Sequence, residues 1–231
     1  MIEIYLDCAD LVSVSSHATD ERVSGFTTNP TLMRQAGVAN YRQFAETMLG
    51  YASDRHVSFE VLNDDAITMQ KEAQELASLG SNVYVKVPVV DADGKCNSEL
   101  IKRLLRSGIS VNITAVHRLQ DAEQIAAVCD TESRAVLSVF AGRIADTGRD
   151  PTSHVSAIKQ VVATLPNVKL LWASSREILN VVQAEACGCD VITLTPSLLS
   201  KLSGLGRSLD EVTVETVRMF AAASKGIAPI V

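Results

Sequence analysis

The chain has 231 residues, 47% of them hydrophobic, and a formal net charge of −6 with no block of Lys or Arg. This length suits one large buried core and leaves two independent domains cramped, so one domain over 1–231 is expected. The charge excludes the electrostatic footprint of a nucleic-acid backbone or an anionic membrane, so any anionic substrate is expected to be held by a few local cations.

Taken in chain order, short β-branched runs recur at Ile2–Leu6, Val23–Thr28, Val57–Val61, Val83–Val87, Ile109–Ile113, Ala135–Val139, Lys169–Ala173 and Asp190–Leu194. Helical patterns lie between them. Asp65 to Leu79 is stopped by Gly80, Ser98 to Ser107 by Gly108, and Ser175 to Cys187 by Gly188. Strands alternating with helices predict a parallel α/β sheet, and eight such units fit a single (β/α)8 TIM barrel. A doubly wound open sheet produces a similar pattern, but no G-x-G-x-x-G follows the first strand. An additional C-terminal helix is predicted over roughly Asp210 to Lys225. Its apolar stripe of Val212, Val217, Phe220 and Ala221 suits a lid over the barrel wall or a subunit contact.

The opening MIEIYLDCAD lacks the basic and apolar regions of a secretory signal, and no run reaches the roughly 18 apolar residues of a membrane span. Cys8, Cys96, Cys129, Cys187 and Cys189 are scattered, which suits reduced thiols and a cytoplasmic location. His17, His56, His117 and His154 stand alone without metal-ligand spacing, so neither metal nor cofactor is expected.

A barrel carries its chemistry at the C-terminal ends of the strands. Asp7, Asn29, Glu60, Lys86, Thr114, Phe140 to Arg143, and Ser174 all fall at or just beyond a predicted strand end. Lys86 interrupts the apolar run Val83-Tyr84-Val85-Lys86-Val87. Pointed inward it would be costly unless paired or functional, and burial favours the neutral amine that attacks a carbonyl. Strand alternation does not decide between that reading and a lysine snorkelling on the outer face.

Asp7 and Glu60 follow apolar strands and suit proton transfer, with helix capping as the alternative for either. Thr114 suits orientation of a water, or an ordinary strand position. At Ala173-Ser174-Ser175-Arg176 backbone N–H groups, a hydroxyl and a guanidinium are expected to converge on an anion, with Arg143 as a second cation. Singly, the serine reads as an N-cap and each arginine as a surface charge.

Together these stretches resemble the transaldolases, at the length of their small branch, which also contains fructose-6-phosphate aldolases. The marks are Leu6-Asp7, Thr27-Thr28-Asn29-Pro30-Thr31, Glu60, Val85-Lys86-Val87-Pro88, Asn112-Ile113-Thr114, Phe140-Ala141-Gly142-Arg143 and Ala173-Ser174-Ser175-Arg176, in order over nearly the whole chain. The resemblance implies a Schiff base between Lys86 and the ketose C2, with Asp7 as acid or base and Glu60 and Thr114 positioning water. It further implies that Asn29, beside Thr28, holds the donor's hydroxyls and that Arg143, Ser174 and Arg176 take the phosphate.

The implied reaction moves a dihydroxyacetone unit between sugar phosphates in the pentose phosphate pathway, within a homo-oligomer, pentamer or decamer. Two alternatives are a fructose-6-phosphate aldolase releasing free dihydroxyacetone and a non-catalytic sugar-phosphate-binding barrel. Thr31 departs from a frequent serine and Ser175 from a frequent aromatic. Glu60 and Phe140 stand where the aldolase branch typically has Gln and Tyr.

Overall fold

A computed structural model describes residues 2–227. Its strands are β1 (Glu3–Asp7), β2 (Val23–Thr27), β3 (His56–Glu60), β4 (Val83–Pro88), β5 (Val111–Val116), β6 (Ala135–Val139), β7 (Val168–Trp172) and β8 (Val191–Leu194). They pair in parallel in sequence order, and β8 closes on β1. This is the (β/α)8 barrel expected from the strand–helix alternation, and the open-sheet alternative is excluded by the β1–β8 pairing.

Two apolar clusters explain the architecture. The larger packs the outward residues of the strands, such as Phe26, Phe59, Val85, Ile113 and Leu137, against the surrounding helices. The smaller fills the barrel with Tyr5, Val136, Leu171, Ala173 and Val191. Fully burying each such side chain contributes about 1.5–3 kcal/mol, so once the sheet closes each strand holds one parity inward and the other against the helices. Lys86 lies in register with Glu60 on one side and Asn112 on the other, which puts all three on one interior level.

Helix ends follow local chemistry. Asp65 caps the helix Ala66–Ala77, accepting from the Thr68 N–H at 2.9 Å. Asn29 caps the helix Pro30–Gln35 in the same way, with Pro30 in the first turn. The start of the helix that follows β7 differs from expectation. The helix begins at Leu179, not Ser175, because Ser174 adopts φ of 63° and Asn180 Oδ1 accepts the Arg176 and Glu177 N–H groups at 2.7 and 3.2 Å.

The last helix spans Leu209–Ala223, with Ser208 as its N-cap. None of its residues is buried, so it does not lid the barrel wall. Leu209, Val217, Met219 and Phe220 stand exposed along it. The tail over Gly226 to Val231 extends beyond the described residues from 228 onward. No helix among the described residues is long and apolar enough to cross a membrane.

Candidate active site

The C-terminal ends of the strands surround a cavity of about 460 Å³. Asp7, Asn29, Glu60, Lys86, Thr114, Phe140, Arg143 and Ser174 line it, so eight of the ten sequence-predicted side chains meet in one place.

Lys86 settles the question that parity left open: it points into the barrel and is 5% exposed. Its Nζ lies 3.0 Å from Glu60 Oε2 and donates to the Thr28 carbonyl at 2.7 Å. A buried amine needs such partners, since an unpaired one would carry the full desolvation cost. Asp7 is reached from β2, where Thr27 Oγ1 donates to its Oδ1 at 2.8 Å, and Thr193 Oγ1 lies 2.8 Å from Thr27 Oγ1. Burial raises the Asp7 pKa, the Lys86 charge and the Thr27 hydrogen bond oppose that rise, and the Glu60 charge adds to it.

Thr114 Oγ1 is buried and has no hydrogen-bond partner among the described residues. Buried hydroxyls are nearly always satisfied, so this one retains a bond for a molecule in the cavity. Asn29 is both an N-cap and a cavity residue: its Oδ1 accepts from Leu32 N–H at 2.9 Å, which leaves the amide nitrogen available.

On the β6–β7 side the geometry differs from the sequence reading. The Arg176 and Glu177 N–H groups bond to Asn180, so the expected backbone anion cradle is already filled by a side chain. The Arg176 guanidinium bonds twice to Asp146, with a 2.5 Å ion pair, and does not line the cavity. Arg143 does line it, resting over the Phe140 ring at 5.5 Å, beside Ser174. Thr28 contributes its carbonyl to Lys86, but its buried hydroxyl donates to the Ser58 carbonyl at 3.0 Å.

Several cavity residues were not read as site residues from the sequence: Ser138 and Thr193 went unnamed, Thr27 and Asn112 were read only as parts of motifs, and His117 only as a histidine without metal-ligand spacing. Interior polar residues on strands look like ordinary strand residues until parity is known. His117 is oriented by a 2.7 Å hydrogen bond from Nδ1 to the Ala115 carbonyl, which requires the proton on Nδ1. Ala115 adopts φ of 59° at a break in the β5–β6 register.

A buried amine beside two carboxylates at the C-terminal end of a (β/α)8 barrel is an arrangement suited to an enzyme. The sequence matches the Transaldolase/Fructose-6-phosphate aldolase family over residues 4–228, and the chain belongs to that family. It is 34% identical over 203 residues to a probable transaldolase of Nitrosopumilus maritimus, covering 87% of each chain. Against a probable transaldolase of Thermoplasma volcanium it is 30% identical over 221 residues, covering 91% of this chain and 95% of that one.

Among solved structures, 3-hexulose-6-phosphate synthase from Salmonella typhimurium superposes with a TM-score of 0.59 at 14% identity, covering 84% of this chain and 89% of that one. That likeness extends to the barrel fold alone. The chain is therefore a transaldolase-family enzyme.

Proposed function

We propose that the chain, acting as one barrel domain, transfers a dihydroxyacetone unit from fructose 6-phosphate or sedoheptulose 7-phosphate to an aldose phosphate. The Lys86 amine adds to the C2 carbonyl, whose oxygen takes a proton, and loss of water from the carbinolamine leaves an iminium. Asp7 removes the proton of the C4 hydroxyl, the C3–C4 bond breaks, and its electron pair enters the iminium to give an enamine. From fructose 6-phosphate the departing aldehyde is glyceraldehyde 3-phosphate. Addition of the enamine to erythrose 4-phosphate, followed by hydrolysis, yields sedoheptulose 7-phosphate.

In this reading Glu60 and Thr114 hold the water lost and regained, Asn29 beside Thr28 bonds the donor's hydroxyls, and Phe140 walls the site. Arg143 and Ser174 take the phosphate, and Arg176 joins them only by leaving Asp146. The observation that carries the reading is the buried Lys86 amine, 3.0 Å from Glu60 in a cavity that also holds Asp7.

The pathway is the pentose phosphate pathway and the compartment the cytoplasm. The chain works as a homo-oligomer, a pentamer or decamer, a reading supported by the exposed apolar residues of the last helix. Sedimentation at the monomer mass would remove that part of the proposal. Borohydride reduction with fructose 6-phosphate, followed by peptide mapping, tests the rest. Label on Lys86 is expected, and label on any other lysine would overturn the mechanism.

A further inference from the structure

Strand β5 reverses its own alternation near the cavity. Ile113 and Val116 both pack in the outer apolar cluster, and between them β5 advances three residues while β6 advances two, from Leu137 to Val139. The extra residue makes a β-bulge, which re-aims side chains at strand ends. Ala115 there takes φ of 59°, a left-handed conformation that is unfavourable for a residue with a Cβ. Regular alternation after Ile113 would turn Val116 into the barrel and His117 toward the helices. The bulge exchanges them, and His117 lines the cavity.

The same turn fixes the imidazole. A backbone carbonyl only accepts, so the 2.7 Å contact with the Ala115 oxygen keeps the proton of the neutral ring on Nδ1. Nε2 then carries a lone pair, and it has no hydrogen-bond partner among the described residues.

We propose that His117 is a specificity-determining residue whose Nε2 accepts a hydrogen bond from the C5 hydroxyl of fructose 6-phosphate. The assignment rests on the Schiff-base reading above. With C2 on Lys86 of β4 and the phosphate at Arg143 beyond β6, the donor's remaining carbons pass the end of β5, which lies between those strands. Asp7 on β1 faces β5 across the closed ring of eight strands. The C4 and C5 hydroxyls of D-fructose are erythro and point to opposite sides of an extended chain. A C4 hydroxyl directed at Asp7 therefore sends the C5 hydroxyl toward His117. The ring lies 5.7 Å from Phe140, over which Arg143 rests at 5.5 Å, so the hydroxyl beside the phosphate is the one that passes it. Nε2 cannot donate, which leaves the phosphate itself to Arg143.

The test compares the parent with His117→Phe and His117→Gln on fructose 6-phosphate and on 5-deoxyfructose 6-phosphate. Each variant is set against the parent on the same donor, because the deoxy donor cannot close to a furanose. Phe keeps a ring beside Phe140 without the acceptor, and Gln restores an acceptor. For His117→Phe about a 10-fold loss of kcat/KM on fructose 6-phosphate is expected, carried by KM with kcat retained, since the contact is made equally before and during reaction. Parental values on the deoxy donor and partial rescue by Gln are expected. The C5 hydroxyl departs with glyceraldehyde 3-phosphate, so the balance of transfer and release at saturation is expected to stay parental. Should His117→Phe fail to fold, the nitrogen NMR resonance of His117 Nε2 in the parent carries the test. Fructose 6-phosphate is expected to move it and the deoxy donor is not, and the same response to both overturns the proposal. Equal kinetic losses on both donors, no loss on either, or a loss in kcat alone also overturn it, while borohydride label on Lys86 preserves the Schiff-base reading. Absence of that label from the parent overturns both.

Discussion

Gly142 and Ser174 meet across the rim between β6 and β7 so closely that a Cβ on residue 142 would fall 1.7 Å from the Ser174 carbonyl oxygen. The clash is with backbone, so Gly142→Ala forces the Arg143 turn and the Ser174 turn apart. Overpacking of this kind costs about 1–3 kcal/mol. A lower Tm and about a 10-fold or greater loss of kcat/KM for phosphorylated donors are expected. Gly50 is the control: it lies within the helix Tyr41–Ala52 with open space around its Cβ position, and Gly50→Ala is expected to stabilise the protein slightly. Parental melting and kinetics in Gly142→Ala would show that the approach is not needed.

The two arginines are expected to differ. Arg143 lines the cavity, and Arg143→Ala is expected to weaken phosphorylated substrates by about 1.5–3 kcal/mol, the range of a charge-assisted hydrogen bond. Arg176 is half-exposed and paired with Asp146, and exposed pairs contribute about 0–1 kcal/mol. Arg176→Ala is therefore expected to be much the milder variant. Binding measurements with fructose 6-phosphate decide it, and an equal loss in both variants would mean that Arg176 leaves Asp146 to hold the phosphate.

Much of this site was legible in the sequence for one physical reason. Polar residues that interrupt or end an apolar strand are conspicuous, and in a closed barrel all strand ends converge. Hence Asp7, Glu60, Lys86 and Thr114 could be named in advance. The direction of Lys86 could not, because alternation gives two parities and only closure of the sheet chooses between them.

The Arg176 turn escaped because its N–H groups bond to a side chain, Asn180, whose role no helix-start pattern reveals. The inward turn of His117 escaped because strand alternation carries no mark of the extra residue in β5 until the register is known. An apolar stripe on the last helix indicates a face that favours burial, but not the surface that covers it.

Asp7 carries a measurable cost. Its folded pKa is raised above its ordinary 3.8, chiefly by burial. A raised group contributes its stability below the unfolded value and loses it as pH rises through the folded value, so the charged carboxylate destabilises the fold at neutral pH. Asp7→Asn is therefore expected to be more stable than the parent at pH 7.5, with the difference shrinking as pH falls toward 4. Turnover is expected to fall by about 10²-fold or more, the scale of lost acid–base catalysis. Denaturant titrations at several pH values check the first claim and steady-state rates the second. A less stable variant at neutral pH would contradict the sign.

The last prediction concerns transfer against release, and it turns on Phe140. Phe140 lines the cavity with a plain ring, whereas a tyrosine there would bring a phenol beside the water. In the proposed mechanism Glu60, paired with Lys86 at 3.0 Å, can hold that water, but Phe140 offers nothing to help it attack the three-carbon iminium. The His117 ring sits 5.7 Å from Phe140, yet its protonated Nδ1 is engaged by the Ala115 carbonyl. The intermediate is therefore expected to wait for an acceptor aldehyde. Fructose 6-phosphate alone is expected to yield little dihydroxyacetone, while added erythrose 4-phosphate yields sedoheptulose 7-phosphate at a much higher rate. Phe140→Tyr is expected to shift the ratio toward release, and His117→Phe to leave it unchanged. If free dihydroxyacetone forms as fast without acceptor as sedoheptulose 7-phosphate forms with it, the chain is an aldolase. If His117→Phe suppresses release, then His117, not Phe140, governs the water.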